Sequence, residues 1–287
     1  MPDGLLVVDK PEGPTSFDVV ARARRALGTR SIGHTGTLDP LASGVLVLLV
    51  GSWTRLANLL TSDEKRYRAT VRLGASTRTD DREGEVLERG DATRVDEATL
   101  RAALARMQGP QRQVPPAFSA IHVEGERAYA KARRGEAVAL EARDIVLHEV
   151  GLLEWRPPDA VVDVRCSKGT YIRALARDLG QALGAPAHLG ALRRTAAGPW
   201  TLDDAVPLSL LVDDPAAAIA ALRAGARALR GVSLLPVSED EARALRQGKR
   251  VATAAPAQQG AVAHVGETPV AIVDVEDGAM RVVRGFG

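Results

Sequence analysis

Apolar positions recur along this chain in two periods, and the switches between them divide it into elements. Leu5–Val8 is a short unbroken apolar run, read as a strand, and it leads into a turn through Pro11, Gly13 and Pro14. Thr15 is placed to cap a helix, with an acid three residues on at Asp18 and a terminator at Gly28. Val45–Val50 is apolar throughout and reads as a buried strand. Tyr67–Leu73 alternates instead: Tyr67, Ala69, Val71 and Leu73 share one face, Arg68, Thr70 and Arg72 the other. That pattern predicts a half-buried strand with its cationic side outward. Val95–Met107 predicts a helix ending near Gly109, and Gln111–Ser119, with Pro115-Pro116, a loop or an edge segment. Ala160–Cys166 alternates again, with Val162, Val164 and Cys166 on the apolar side. Gly169 breaks it, and Tyr171–Leu179 predicts a helix that stops at Gly180.

Toward the C-terminus, Asp214-Pro215 opens a predicted helix over alanine-rich Ala216–Leu229, with Gly231 past its end. Ser238-x-x-Glu241 is a capping box for a short helix that stops near Gly248. Two strand-like runs, Val270–Val275 and Ala279–Val283, flank Asp277-Gly278, a hairpin signal. No GxGxxG follows the first strand and no β-α-β rhythm is present, which disfavours a dinucleotide fold. The expected class is α+β, with a mixed, largely antiparallel sheet flanked by helices. A tail of about fifty residues is small for an independent core, so it is expected to pack on the rest.

Composition adds boundaries. A chain of 287 residues has room for two domains, and 45% apolar with 26% charged residues is ordinary for a globular protein. One cysteine, Cys166, excludes an internal disulfide framework and a cysteine-based zinc finger. The opening MPDGLLVVDK has no basic leader, and no apolar run approaches a membrane span, so a cytoplasmic location and no membrane partner are expected. The net charge of +2 selects no partner, but its distribution is uneven. Arg55, Lys65, Arg66, Arg68, Arg72 and Arg78 crowd one segment; Arg165, Lys168, Arg173, Arg177, Arg193 and Arg194 crowd another. Folded together they would make a cationic face suited to a phosphate backbone; the alternative is an ordinary solvated surface. Aromatics, at 3%, are too few for repeated stacking on a single strand.

Candidate chemistry centres on Gly33–Val50, GHTGTLDPLASGVLVLLV. A loop of small residues carries one carboxylate, Asp39, to the lip of the buried strand, where a nucleophile or base can be presented to a ligand. The plainer alternative is a turn whose Asp bonds only its own backbone. A phosphate-binding P-loop is excluded, because no lysine occurs between Lys10 and Lys65. The GxxG of Gly33–Gly36 is too short a match to argue a KH domain, and His34 with Asp39 supplies two metal ligands at most. No metal or other cofactor is expected.

Four segments together resemble the tRNA pseudouridine synthase B (TruB) family: Lys10-Pro11-x-Gly13-x-Thr15-Ser16, the Gly33–Gly44 loop, Lys65-Arg66-Tyr67-Arg68 with Arg72-Leu73-Gly74, and Cys166–Arg173. Pro115-Pro116-x-Phe118-Ser119-Ala120 and Tyr129-x-x-Ala132-Arg133 add a weaker match. The resemblance spans roughly residues 5–200 in the family's order. It implies the pseudouridine synthase fold over 1–230, an RNA-contacting insertion at about 109–145, and a small β-rich, PUA-like RNA-binding domain over 231–287. It also implies a reaction: isomerisation of the T-loop uridine of tRNA, conventionally position 55, to pseudouridine. That chemistry needs no metal, nucleotide or redox group. By resemblance Asp39 is the catalytic acid, Arg173 its ionic partner, and Tyr67 the ring that stacks on a flipped uracil and assists at C5. Tyr171 would line the base pocket, Leu192 would contact the substrate RNA, His34 would hold the RNA with its nucleotide extruded, and Lys10 would support the loop or contact the RNA backbone. Arg127, Lys131, Arg133, Arg134 and Arg143 of the insertion are expected to fold over the RNA arm. The partner implied is the T stem-loop of tRNA, met by a monomer. Three positions depart from the family pattern: Arg78 where an acid is usual, His122 for lysine, and Phe118 for tyrosine. The readings left open beside this one are a non-catalytic RNA clamp and a pseudouridine synthase for another RNA.

Overall fold

The structure is a computed structural model that describes residues 3–61, 64–119, 121–123, 125–136 and 139–286. Contacts divide the chain into two units, Met1–Asp63 with Ala196–Gly287, and Glu64–Thr195. The first unit begins with strand β1 (Gly4–Lys10), helix α1 (Ser16–Ala26), and strands β2 (Ile32–His34) and β3 (Ala42–Val50). β1 pairs antiparallel with β3 from Gly4–Val50 to Lys10–Gly44, and β2 pairs with the far end of β3. Both long strands are buried on both faces, which is why their sequences are apolar runs without alternation. The expected capping box closes α1: the Asp18 amide donates to the Thr15 hydroxyl at 3.1 Å, and the Asp18 carboxylate accepts from the Thr15 amide at 2.8 Å. Bonds from Thr15 hold the Asp18 carboxyl below the usual carboxylate range.

The second unit contains β4 (Lys65–Leu73), α2 (Glu97–Met107), β5 (Gly109–Gln113), β6 (Arg143–Arg156), β7 (Asp159–Cys166), α3 (Ile172–Leu183) and most of β8 (Ala187–Ala197). Within this unit the sheet order is β8-β4-β7-β6-β5, and β4, β7, β6 and β5 alternate in direction. Tyr67, Ala69 and Val71 of β4 lie beside Val164, Val162 and Ala160 of β7 on the buried face, and α2 and α3 pack against this sheet and each other. Of the expected loop or edge segment, Gln111–Gln113 belong to the edge strand β5, and Pro115-Pro116 follow it outside any strand.

The outer face of this sheet differs from expectation. The two basic segments do come together, but opposite charges interleave with them. Arg66 pairs with Asp163 at 2.7 Å, Arg72 with Asp159 at 2.7 Å, and Arg165 with Glu64 at 2.6 Å and Glu149 at 3.1 Å. The cross-strand acids come from β6, β7 and the residue preceding β4. A cationic face read from the two basic segments alone leaves them out.

Two predicted helix limits also move. α3 runs through Gly180 to Leu183 and ends at Gly184, whose φ of +67° makes the left-handed cap. Gly180 serves close packing instead: a Cβ there would lie 2.6 Å from both the Ala185 carbonyl oxygen and the Ala187 Cβ. The alanine-rich segment is not one helix. It is helical over Pro215–Ala220, and then Arg223 exchanges backbone hydrogen bonds with Leu5 of β1, at 2.8 and 2.9 Å. A β-bridge to the core overrides the helix propensity of alanine.

The tail forms β9 (Leu234–Pro236), α4 (Glu239–Arg246), β10 (Val251–Ala252), β11 (Gln258–Val265), β12 (Thr268–Glu276) and β13 (Ala279–Gly285). The sheet order is β9-β11-β12-β13-β10, with β9 parallel to β11 and the other pairs antiparallel. The predicted hairpin turns at Asp277 and Gly278, both at positive φ of 52° and 68°, as a type I′ turn requires. One face of the tail closes over its own core of Ala242, Leu245, Val273 and Met280. The other places Val262, Ile272 and Phe286 in a core shared with Leu5, Val47, Trp53 and Leu56. The tail therefore packs on β1, β3 and the turn after β3. The fold is mixed α+β, and among the described residues no helix is long and apolar enough to cross a membrane.

Candidate active site

The residues expected at the site fall in two groups, one in each unit. In the first, Asp39 lies between β2 and β3 and is partly buried. Its neighbours on both sides are fastened. The Ser16 hydroxyl accepts from the Leu38 amide at 2.8 Å and donates to the Leu38 carbonyl at 3.0 Å. The Pro40 carbonyl accepts from the Gly13 amide at 2.9 Å, and the Ala42 amide donates to the Asp39 carbonyl at 3.0 Å. Lys10, 0% exposed, directs its ammonium to the carbonyls of Pro14 at 2.7 Å, Pro11 at 3.0 Å and Pro40 at 3.5 Å. A buried ammonium needs such partners for its three protons, and these tie the Pro11–Pro14 turn to the Asp39 loop. The His34 Nδ1 accepts from the Gly36 amide at 3.3 Å, which leaves Nε2 as the protonated nitrogen of the neutral ring. Gly36 and Gly44 stand at φ of 151° and 106°, angles that a side chain would strain.

In the second unit Tyr67 is on the buried face of β4, 8% exposed and opposite Val164. Leu192 is buried in β8. Tyr171 is the N-cap of α3 and Arg173 lies in its first turn, so the strand-to-helix motif delivers both from one corner. Arg173 is 6% exposed. It donates to the Phe118 carbonyl at 2.9 Å and the Thr79 carbonyl at 3.1 Å, and it lies 3.5 Å from the carboxylate of Asp81. Asp81 is itself oriented, accepting from the Thr79 hydroxyl at 2.6 Å and the Glu83 amide at 3.0 Å. One turn further along α3, Arg177 pairs with Asp80 at 3.0 Å and donates to the Val114 carbonyl at 2.8 Å. Burial raises the Asp80 carboxyl above its usual range against the opposing pull of Arg177 and Arg173. Arg78, at a departure from the family pattern, pairs at the surface with Glu85 at 3.0 Å. Cys166 is buried at the end of β7, and desolvation pushes its thiol up to about 11. Among the described residues no cluster of three or more His, Cys, Asp or Glu is placed to hold a metal ion.

Asp81, Ser16 and Gln113 carry geometry that motif reading did not assign. Gln113 bonds the backbone of Tyr171 at both its amide and its carbonyl. Asp81 had a faint signal, the paired acids Asp80-Asp81 beside Thr79; carbonyl partners such as Phe118 and Thr79 leave no trace in a sequence. In the insertion, the Phe118 and Tyr129 rings meet edge to face with centroids 6.2 Å apart. Arg134 is neutralised by Glu126 at 2.5 Å and Glu136 at 2.6 Å. Ala120 and the side chains of His122, Arg127 and Arg133 lie outside the described residues.

The mixed sheet, the Asp39 loop and the corner bearing Tyr171 and Arg173 are the features on which the sequence resembles the pseudouridylate synthases, and comparison with known proteins shows that class. The fold matches a chain in the crystal structure of a Cbf5-Nop10-Gar1 complex, with a TM-score of 0.75 and 25% identity over 99% of this chain and 85% of that one. Residues 24–172 match the N-terminal domain model of the TruB family pseudouridylate synthases, and residues 173–237 match the tRNA pseudouridylate synthase B C-terminal domain. The tRNA pseudouridine synthase B of Arthrobacter sp. (strain FB24) is 50% identical over 261 residues, covering 89% of this chain and 84% of the relative. That of Nocardia farcinica (strain IFM 10152) is 55% identical over 216 residues, 74% of this chain and 71% of the relative. The chain belongs to the TruB family.

Proposed function

We propose that this enzyme, which converts uridine to pseudouridine in tRNA, acts on a uridine of the T loop with Asp39 as its catalytic carboxylate. The reaction breaks N1–C1′, turns the base, bonds C5 to C1′, releases the C5 proton and adds one at N1, so atoms balance without a co-reactant. One carboxylate close to C1′ and the base can serve as nucleophile or proton acceptor. The observation that carries the reading is the tethering of Leu38 and Pro40 by Ser16, Gly13 and Lys10, which fixes the backbone on both sides of Asp39. A preorganised carboxylate is what such a displacement needs.

In this reading Arg173 keeps Asp39 ionised and aimed, Tyr67 stacks on the extruded uracil and assists at C5, Tyr171 walls the base, and Leu192 contacts the substrate RNA. His34 holds the RNA in its flipped form, and Lys10 supports the loop. The catalytic domain spans 1–230, its insertion at about 109–145 meets the RNA arm, and 231–287 is a PUA-like RNA-binding domain. The enzyme works as a cytoplasmic monomer on the T stem-loop, without a metal or other cofactor.

The test is tRNA transcript carrying tritium at uracil C5, treated with wild type and with Asp39→Ala, followed by mapping of the modified base. Release by wild type alone, equal to one site per tRNA and mapped to the T loop, is expected. Release by Asp39→Ala at the wild-type rate would remove Asp39 from the chemistry. Modification elsewhere in the tRNA would overturn the substrate position.

A further inference from the structure

We infer that Gln113 is a positioning residue, whose side-chain amide clamps the backbone of Tyr171 and so sets the corner that carries Tyr171 and Arg173. Gln113 is the last residue of edge strand β5 and is 4% exposed. Its Oε1 accepts from the Tyr171 amide at 2.8 Å, and its Nε2 donates to the Tyr171 carbonyl at 3.1 Å. The backbone partners fix this orientation of the amide, since an N–H can only donate and a C=O only accept. Tyr171 is extended, with φ −103° and ψ 113°; its amide donates to Gln113, and its carbonyl accepts both from Gln113 and, at 3.1 Å, from the Leu175 amide in the first turn of α3.

The clamp answers a local need. Tyr171 is the N-cap of α3, yet its side chain makes no capping bond, unlike Thr15 at α1 or Ser238 at α4. The Tyr171 amide, which no side-chain cap orients, is instead held from outside the helix by Gln113. The same stretch of chain touches α3 twice more, through the Phe118 carbonyl on Arg173 and the Val114 carbonyl on Arg177. Those two contacts hold side-chain heads; the Gln113 contact holds the backbone from which both reading groups project. Because Gln113 also pairs through its main chain with Arg143 at the far limb of the insertion, its side chain links the corner to the root of the insertion.

The inference rests on the reading of the site given above, and its tests separate the two. Gln113→Ala removes both bonds. Single-turnover tritium release at saturating tRNA is expected to fall about 10- to 100-fold, the size of effect that a displacement near 1 Å produces, while the Kd for tRNA changes less than about threefold. Gln113→Glu keeps the shape and the acceptor, but an ionised carboxylate faces the Tyr171 carbonyl with no proton to give. Once protonated it again offers one donor and one acceptor. Its rate relative to wild type is expected to rise as pH falls, whereas the ratio for Gln113→Ala stays flat. Amide hydrogen exchange gives a readout independent of catalysis: the Tyr171 N–H is protected in wild type and exchanges faster in Gln113→Ala, with the sheet interior unchanged.

A wild-type rate in Gln113→Ala, or unchanged Tyr171 exchange, overturns the clamp. So does a loss of rate matched by the unfolded fraction, with no recovery of Gln113→Glu at low pH. An inactive wild type would instead defeat the functional reading, and the exchange measurement would still decide the clamp.

Discussion

The guanidinium of Arg173 lies 3.5 Å from the carboxylate of Asp81, and both side chains are shielded from water. Breaking a buried pair by removing one partner costs about 3–5 kcal/mol. Arg173 retains the Thr79 and Phe118 carbonyls, so Asp81→Ala is expected to cost about 3 kcal/mol, the low end of that range. Urea unfolding measures it; a change under about 1 kcal/mol would mean that the pair contributes nothing net. Arg173→Lys is expected to rescue little, because an ammonium cannot reproduce the planar fork that reaches two carbonyls and a carboxylate at once.

Ser16 is expected to matter to the rate through Leu38. Ser16→Ala leaves a buried amide and carbonyl next to Asp39 without the hydroxyl that serves both. The cost is about 1–3 kcal/mol, and the freed loop should lower kcat with little change in KM. Steady-state kinetics on tRNA distinguish the two; a loss confined to KM would show that Ser16 serves binding instead.

Cys166 should be silent to thiol reagents in the native protein. Its folded pKa is about 11, above the unfolded value near 8.5, because burial disfavours the thiolate. Titration with a disulfide reagent at pH 8 should report no thiol in native protein and one in denaturant. The sign for stability follows: the native chain keeps a proton that the unfolded chain loses. This contribution is whole below about pH 8.5 and declines as pH rises toward 11, by at most about 1.4 kcal/mol per pH unit. Cys166→Ala should flatten that part of the stability–pH curve.

Gly180→Ala sets two effects against each other. Alanine gains about 1 kcal/mol of helix propensity over glycine, but its Cβ would meet the Ala185 carbonyl and the Ala187 Cβ at 2.6 Å. Overpacking of this kind costs about 1–3 kcal/mol, and the contact involves backbone that cannot swing aside. A net loss of melting temperature is expected; a gain would show that the α3–β8 turn relaxes freely.

Much of this fold can be read from residues because its signals are local. Thr15 with Asp18 and Ser238 with Glu241 announce helix starts, Asp277-Gly278 announces a hairpin, and the alternation from Tyr67 to Leu73 announces which side is buried. What escaped depends on partners distant in sequence. Gly180 looks like a stop until Ala187 is seen against it, and the alanine run looks helical until Arg223 bridges to Leu5. The site divides the same way. Asp39, Tyr67 and Arg173 stand in motifs; the groups that hold such residues are the hydroxyl of Ser16, whose partner Leu38 lies 22 residues on, an amide at Gln113 and carbonyls that any residue could supply.

The interleaved charges on the outer face of β4, β7 and β6 bear on which nucleic acids this chain meets. Exposed pairs of this kind add little to stability, yet each one occupies a cation that could otherwise neutralise a phosphate and release its counterion. With Arg66, Arg72 and Arg165 so occupied, the sheet is a near-neutral wall on a chain with 38 basic residues. Such a wall offers a phosphate backbone little to hold, whatever its sequence. Charge balance here makes this broad surface a poor place for any polyanion to stick.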